Sequence, residues 1–334
     1  MPDNHMPDKD ELSRYRTAFG KLRVDPSKMK TLGLAPHKPI LLLSVIQAFE
    51  QGLITGNRIH ITPELVGLFK TNWNAFVRTG HTMKFVLPFY HMKSAFFWRL
   101  EPNPGYELLL GKGSAPSFSN LALAVAYAEI DPELADILTE PVGREILRHT
   151  LIESYFPDSK APQTIDYSEA IHLDSISREI LEESPARYKN RVDSLIEELD
   201  EESGQIEMFV RGEVFKREVP KIYDYTCCVS GVRIDAVFDV SMVDACHIIP
   251  FSKSHDDTIT NGISLCPTLH RAFDRGLISL TDRHEVLVSG KFAENSSPYA
   301  VRQFEGKTIL LPTQEKHHPG RENLEWHRNM VFKW

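Results

Sequence analysis

Three residues in the last third of the chain combine types and spacing suited to hydrolysis of a phosphate ester: His247, Asn261 and His270, 14 and 9 residues apart. Such a reaction needs an activated water, a neutralised phosphate and a stabilised leaving oxygen. A neutral imidazole is the natural proton acceptor near neutral pH, so His247 is the candidate base. A hard divalent cation supplies the charge neutralisation, and the amide oxygen of Asn261 suits it as a ligand. His270 is then a second ligand or a donor that positions the phosphate.

Each residue must be delivered by a different element. His247 lies on a β-prone run ending at Pro250, Asn261 in a polar loop with Gly262 beside it, and His270 on a short helix that Pro267 can start and Gly276 can stop. Strand, loop and helix in that order predict a small ββα unit. Taken singly these residues are unremarkable: a strand histidine is usually structural, and Asn-Gly is usually a turn.

Upstream, residues 36–50 predict a helix with Pro36 near its start, and residues 57–61 a short strand. A second helix begins at Thr62, a capping residue followed by proline, with Leu65, Leu68, Phe69 and Phe76 at helical spacing. Residues 84–100 are aromatic with a proline interruption, which predicts two short strands or a strand and a loop. Residues 117–156 predict three helical stretches, two of them started at Asp131-Pro132 and Glu140-Pro141. From 158 to 205 acidic runs replace apolar density. That stretch predicts a linker, with an amphipathic helix over 185–202 serving as a spacer or a weak dimer contact.

With 334 residues, two domains and a connector are the expectation. The net charge of -8 argues against a nucleic-acid partner only until it is mapped. Residues 21–99 hold 11 Lys/Arg against 3 Asp/Glu, whereas residues 158–205 hold 5 against 13. A basic body and an acidic connector therefore hide inside the total, and the first offers a phosphate-binding face. No apolar run is long enough to span a membrane, and the polar N-terminus lacks a secretory core, so a cytoplasmic protein is expected. Cys227, Cys228, Cys246 and Cys266 form no C-x-x-C pair and are expected as thiols.

The ordered blocks Asp244 to Pro250, Asn261 to Cys266 and Leu269 to Gly276 resemble the HNH endonuclease family, in the branch reading D-A-x-H-I-x-P, N-G-x-x-L-C and L-H-R-x-F-D-R-G. The resemblance implies a DNA endonuclease with His247, Asn261 and His270 as its catalytic set and a catalytic divalent ion, Mg²⁺ or Mn²⁺, on Asn261, His270 and Asp244. Many HNH proteins have an acidic ligand immediately before the first histidine. Here that position is Cys246, so the acid is sought at Asp244, with Asp274 shaping the helix end. Cys228-Val-Ser-Gly is similar to the domain's opening C-x-x-[TS]-G, but the paired zinc cysteines of some relatives are missing, and a structural metal is not expected. Lys253, His255 and Arg271 are candidate phosphate contacts, and His327 is read as part of a closing packing element.

The order G-L-A-P-H-K-P-I-L-L-L (33–43), L-P-F-Y-H-M (87–92), F-W-R-L (97–100) and L-I-E-S-Y-F-P (151–157) is similar to the sulfur-binding domain found upstream of HNH domains in enzymes that attack phosphorothioated DNA. It implies a pocket around Leu87-Pro88 and His37-Lys38, with His91 beside them. Physics supports such a reader. Sulfur in place of a non-bridging oxygen keeps the charge but is larger and less hydrated, so an apolar pocket rimmed by cations prefers it.

These expectations combine into an α+β protein: a disordered start (1–14), a DNA-binding domain (15–157), an acidic linker (158–205) and an HNH ββα-metal domain (206–334). The partner is double-stranded, phosphorothioated DNA. One such site cuts one strand, so a double-strand break calls for a homodimer or two visits. The alternatives are an HNH enzyme reading methylated or unmodified DNA and a non-cleaving DNA-binding regulator with a vestigial site.

Overall fold

The computed structural model describes residues 9–23, 32–111, 115–157, 168–234 and 241–334. The chain divides into two units, one of residues 1–172 with 201–209, the other of 173–200 with 210–334. The mixed helix-and-strand composition is the expected α+β class.

In the first unit, helix α1 spans Lys9–Gly20, so the predicted disorder of residues 1–14 is corrected from Lys9 onward; residues 1–8 lie outside the described residues. The first helix expected from sequence is α2, His37–Glu50, whose residues Pro39 to Ile46 are all buried. A helix apolar on every side must sit in the middle of a core. Strand β1 (Arg58–Ile59) and helix α3 (Pro63–Phe76) follow, and Thr62 Oγ1 accepts a hydrogen bond from Leu65 N at 3.2 Å as a side-chain cap.

The segment 84–100 corrects the sequence reading. Val86–His91 forms helix α4, and the strand β2 begins only at Trp98, running to Pro102. The reason is packing: Phe85, Val86, Phe89 and Tyr90 are buried at helical spacing, and Pro88 stands in the first turn, where its missing N–H costs nothing. After the short helix α5 (Glu107–Leu110) and helix α6 (Phe118–Ala124), a second correction follows. Val125–Ile130, expected within a helical stretch, is strand β3. It is central in a three-stranded sheet of order β1-β3-β2, antiparallel to both neighbours, with Arg58 opposite Glu129 and Trp98 opposite Ile130. Pairing on two sides outweighs the weak helical preference of an alanine-containing run. Helices α7 (Pro132–Thr139) and α8 (Pro141–Tyr155) start at the two predicted prolines.

The predicted linker is corrected too. Residues 158–167 lie outside the described residues, but helix α9 runs over Ser168–Glu182 and helix α10 over Pro185–Glu198. Ile176, Ile180, Tyr188 and Val192 are buried, so the amphipathic face of α10 belongs to the core of the second unit. An apolar stripe this complete is costly to leave in water. Helix α11 (Glu201–Ile222) contributes its first nine residues to one unit and the rest to the other.

The second unit continues with strand β4 (Asp244–His247), the one-turn helix α12 (Phe251–Ser254), strand β5 (Gly262–Leu265), helix α13 (Pro267–Asp274), the hairpin β6 (Ile278–Leu280) and β7 (Val286–Val288), and helix α14 (Arg321–Met330). Gly276, just past α13, has φ +69°, and a Cβ there would collide with the Val331 carbonyl, so the predicted stop is enforced twice.

His327 on α14 closes this unit as a packing residue. It stacks on Phe273 at 3.7 Å between ring centroids, and its ring nitrogens meet Ser279 Oγ at 2.8 Å and Phe273 O at 3.1 Å. Burial pushes its pKa down from 6.5 to about 4. The neutral ring is the folded form, whereas the unfolded chain protonates below 6.5. The stability this residue contributes is therefore fully present above pH 6.5 and is lost as pH falls toward 4. The loss amounts to roughly 3 kcal/mol, each pKa unit being worth 1.36 kcal/mol. Urea unfolding followed from pH 7 to pH 4 should show this fall for the second unit, and His327→Gln should flatten that part of the profile.

Candidate active site

Strands β4 and β5 are antiparallel, with Asp244 opposite Leu265, Ala245 opposite Ser264, Cys246 opposite Ile263 and His247 opposite Gly262. Side chains alternate across a strand, so Asp244 and Cys246 share one face of this ribbon, while His247 and Gly262 share the other. Helix α13 covers the first face. It brings His270 Nδ1 to 3.1 Å from Asp244 Oδ2, and Asp274, one turn further along the helix, places Oδ2 3.5 Å from His270 Nε2. Cys246 Sγ lies 3.8 Å from Asp274 Oδ1. One donor atom each from Cys246, His270 and Asp274 fall within 4.8 Å of one another.

The opposite face carries different chemistry. His247 stacks on Phe215 of α11, with centroids 3.9 Å apart and planes 12° apart, and its Nε2 sits 2.8 Å from Asp257 Oδ1. Gly262 makes room for this arrangement: a Cβ there would lie 2.6 Å from Val219 Cγ2 and 2.9 Å from Phe215 Cζ. The carboxylate of Asp257 is buried, at 1% exposure, while the His247 side chain retains 24%.

Asn261 belongs to neither set. Its Oδ1 accepts from Ile249 N at 2.9 Å, and its Nδ2 donates to Ile249 O and Asp256 O, both at 2.9 Å. The residue is fully buried. A carboxamide used this way braces the loop between the strands, and its donors and acceptor point at backbone. The expectation that His247, Asn261 and His270 gather around one ion is therefore corrected: the structure joins His270 with Asp244, Asp274 and Cys246, and places the other two elsewhere. The physical reason is the two-residue period of a strand together with a loop short enough to require an internal brace.

Of the candidate phosphate contacts, Lys253 and Arg271 are exposed, whereas His255 sits in left-handed conformation (φ 51°) with Nδ1 2.7 Å from Asp193 Oδ1. Asp257 and Asp274 are the site carboxylates hardest to single out from sequence. Asp274 was legible as an i+4 partner of His270, but the pairing of Asp257 with His247 has no sequence periodicity behind it.

Three donors of the α13 face, Cys246, His270 and Asp274, fit a divalent ion, with Asp244 on the other nitrogen of His270. A carboxylate and an imidazole are ordinary ligands for it, and the thiol of Cys246 disfavours Mg²⁺, which takes oxygen ligands, relative to an ion that accepts sulfur more readily. Burial raises the Cys246 pKa well above the usual thiol value, with the nearby Asp274 charge adding to it. A cation held there would have to displace the thiol proton.

Residues 227–281 match the family model described as HNH endonuclease. They form an HNH endonuclease domain. The family's chemistry is cleavage of DNA, and the matched segment contains β4, β5 and α13 entire. Among solved structures, a modification-dependent TagI restriction endonuclease is similar at 21% identity and a TM-score of 0.25, over 35% of this chain and 37% of that one. This chain spans well under half of that enzyme's length, and a likeness of that strength defines no shared fold. No curated protein matches.

The first unit holds a pocket of about 540 Å³. All five residues expected from sequence to form a sulfur site line it: His37, Lys38, Leu87, Pro88 and His91. Arg23, Lys84 and His81 join them from segments that sequence reading had not connected to the pocket, and no lining residue is acidic. Lys38 is partly buried, and its Nζ donates to Arg23 O at 2.9 Å and Ser94 Oγ at 3.0 Å. An ammonium has three donors, so among the described residues these bonds leave one for an anion. Burial lowers the Lys38 pKa, followed by repulsion from Arg23. His37 is fixed by Nε2 against Thr82 O at 2.9 Å and packs on Trp73 at 4.7 Å. No described helix is long and apolar enough to cross a membrane.

Proposed function

We propose that the protein is a restriction endonuclease that binds phosphorothioated duplex DNA through the pocket of its first unit and hydrolyses phosphodiester bonds with its HNH domain. The observation that carries the reading is the meeting of Lys38, His37, Leu87, Pro88 and His91 in one apolar, acid-free, cation-rimmed pocket. An HNH domain on the same chain supports cleavage as the consequence of binding. Phosphate contacts position without choosing a sequence, so a separate reader has a clear use.

In this reading His247 accepts the proton of the attacking water through Nδ1, since Nε2 is engaged with Asp257. His270, Asp274 and Cys246 would hold a divalent ion, which would supply neutralisation of phosphate charge and stabilisation of the leaving oxygen, and Asp244 orients His270 through Nδ1. Base and ion ligands occupy opposite faces of the ribbon. β4 has β5 as its ribbon partner on one side, so one phosphate meets both sets by lying across the other edge of β4. Asn261 keeps the loop in shape and touches neither reactant. Cytoplasmic residence and a homodimer for double-strand breaks remain part of the proposal.

The pocket's volume favours one further reading. A cavity of about 540 Å³ exceeds a single sulfur and is of the size needed to admit an extruded base, as an enzyme reading methylated DNA would require. Matched phosphorothioated, methylated and plain duplexes separate the two in a single gel-shift series. Tightest binding to the methylated duplex would replace the sulfur reading with the base-extrusion one.

Metal dependence has its own test. Chelation is expected to stop cleavage and Mn²⁺ to restore it, while His270→Ala lowers the cleavage rate by about 10²-fold or more, as loss of a metal ligand does. Titration of Co²⁺ into the protein, read by absorbance, should show a thiolate charge-transfer band that Cys246→Ser removes. Cleavage in chelator at the full rate would remove the ion from the mechanism.

A further inference from the structure

We infer that Asp257 is the positioning residue for His247 and that Tyr188, on helix α10, holds Asp257 in place. This rests on the reading of His247 as the proton acceptor. Asp257 follows His247 by ten positions on a loop, and its Oδ1 meets His247 Nε2 at 2.8 Å. Its other oxygen, Oδ2, lies 3.4 Å from Tyr188 OH. Both Asp257 and Tyr188 are 1% exposed. A buried carboxylate is costly unless its lone pairs are engaged, and here the two oxygens face an imidazole N–H and a phenol O–H.

The direction of each bond follows. Burial and then the charge of Asp257 raise the Tyr188 pKa far above its ordinary value, so the phenol keeps its proton and donates it to Asp257. The carboxylate oxygens of Asp257 accept. The imidazole must then carry its proton on Nε2, and Nδ1 presents a lone pair. Phe215, stacked on the ring at 3.9 Å, stops it from tipping out of this plane. The chain extends one step further back. Arg211 lies 5.5 Å from the Tyr188 ring centroid and pairs with Glu179 at 2.9 Å, tying α9, α10 and α11 together behind the tyrosine.

The acidic segment read from sequence as a linker is thus part of the machinery that selects the tautomer of the base. Residues 173–200 supply Tyr188, and the stretch matched by the HNH family, 227–281, lacks it. An HNH segment cut free of α10 would keep His247 and Asp257 but lose the donor that fixes the carboxylate.

The test uses the full chain. Asp257→Asn places an amide where the carboxylate was, and its NH₂ can donate to Nε2, moving the proton to Nδ1. The single-turnover cleavage rate is expected to fall about 10²-fold with DNA affinity unchanged, the size of loss that follows misplacement of a reacting group. ¹⁵N NMR of the imidazole should show one Nε2–H tautomer in the parent protein and a mixed or Nδ1–H population in the variant. Tyr188→Phe should lower the rate several-fold, and Asp257→Glu should restore part of the Asp257→Asn loss. If Asp257→Asn fails to fold, as thermal melting would report, Tyr188→Phe decides through the same rate and tautomer readouts. Unchanged rate and tautomer in the folded variants, with His247→Ala inactive, would overturn the positioning role and leave the base intact. Full activity of His247→Ala would instead overturn the reading on which it rests.

Discussion

His247→Ala is expected to lower single-turnover DNA cleavage by about 10²–10⁴-fold, the range that general-base contributions span. Binding to DNA, measured by gel shift in chelator, should be unchanged, because the ring faces Phe215 and Asp257 and belongs to the second unit. The stacking contact makes an independent control possible. His247→Phe preserves an aromatic plane against Phe215 and removes only the nitrogens, so it should be as inactive as the alanine variant while keeping the stacking contact. The charge of Asp257 complicates this control, since removing the imidazole leaves a buried carboxylate with Tyr188 as its remaining hydrogen-bond partner. A loss of 1–3 kcal/mol in stability is the usual cost of an unsatisfied buried group. Kinetics and melting must therefore be read together. Activity within a factor of two of the parent in the alanine variant would sink the assignment of the base.

The second large effect concerns selection of the target. A phosphorothioated duplex should bind the protein about 5-fold more tightly than the same sequence with ordinary phosphates. That is the effect of roughly 1 kcal/mol from burying a sulfur face of ~30–40 Å² against Leu87 and Pro88. The asymmetry of the pocket adds a sharper expectation. Lys38 brings a cation to the lining while Leu87 and Pro88 bring apolar surface, so the two phosphorus configurations, which exchange sulfur and oxygen, are not equivalent there. Rp and Sp duplexes should therefore differ, with one behaving like unmodified DNA. Two variants separate the components: Leu87→Ser should erase the preference while retaining affinity for plain DNA, and Lys38→Ala should weaken both duplexes alike. Equal affinity for Rp, Sp and plain DNA would remove the sulfur pocket, and the HNH assignment would stand unaffected.

How much of this was legible before the fold was known depends on whether the signal was local. Helices α2, α3, α7 and α8 were readable because a proline or capping residue sits beside each start and an apolar stripe follows, all within a few residues. The ββα order of His247, Asn261 and His270 was readable for the same reason, each residue carrying its own strand, loop or helix signal. The segment Val86–His91 was misread because aromatic composition favours strands in general, while burial of Phe85, Phe89 and Tyr90 at helical spacing overrules that preference. β3 was missed because a central strand is stabilised by neighbours far away in the sequence, and its own residues announce little.

The chemistry divides along the same line. Residue types alone said that an imidazole base and a divalent ion belong in the last third of the chain, and that five residues in the first half should share a pocket. Distance and direction were decided by folding. Strand alternation turned His247 away from His270, three backbone partners took up the carboxamide of Asn261, and burial gathered Asp274 and Cys246 around His270 and set Asp257 against His247. Helices α9 and α10 joined the nuclease unit because a chain that reads as acidic still carries Ile176, Ile180, Tyr188 and Val192 on faces that water disfavours. Local pattern records what a residue is able to do, and only the packed structure, where contacts between distant segments compete for the same space, determines which partner it does it with.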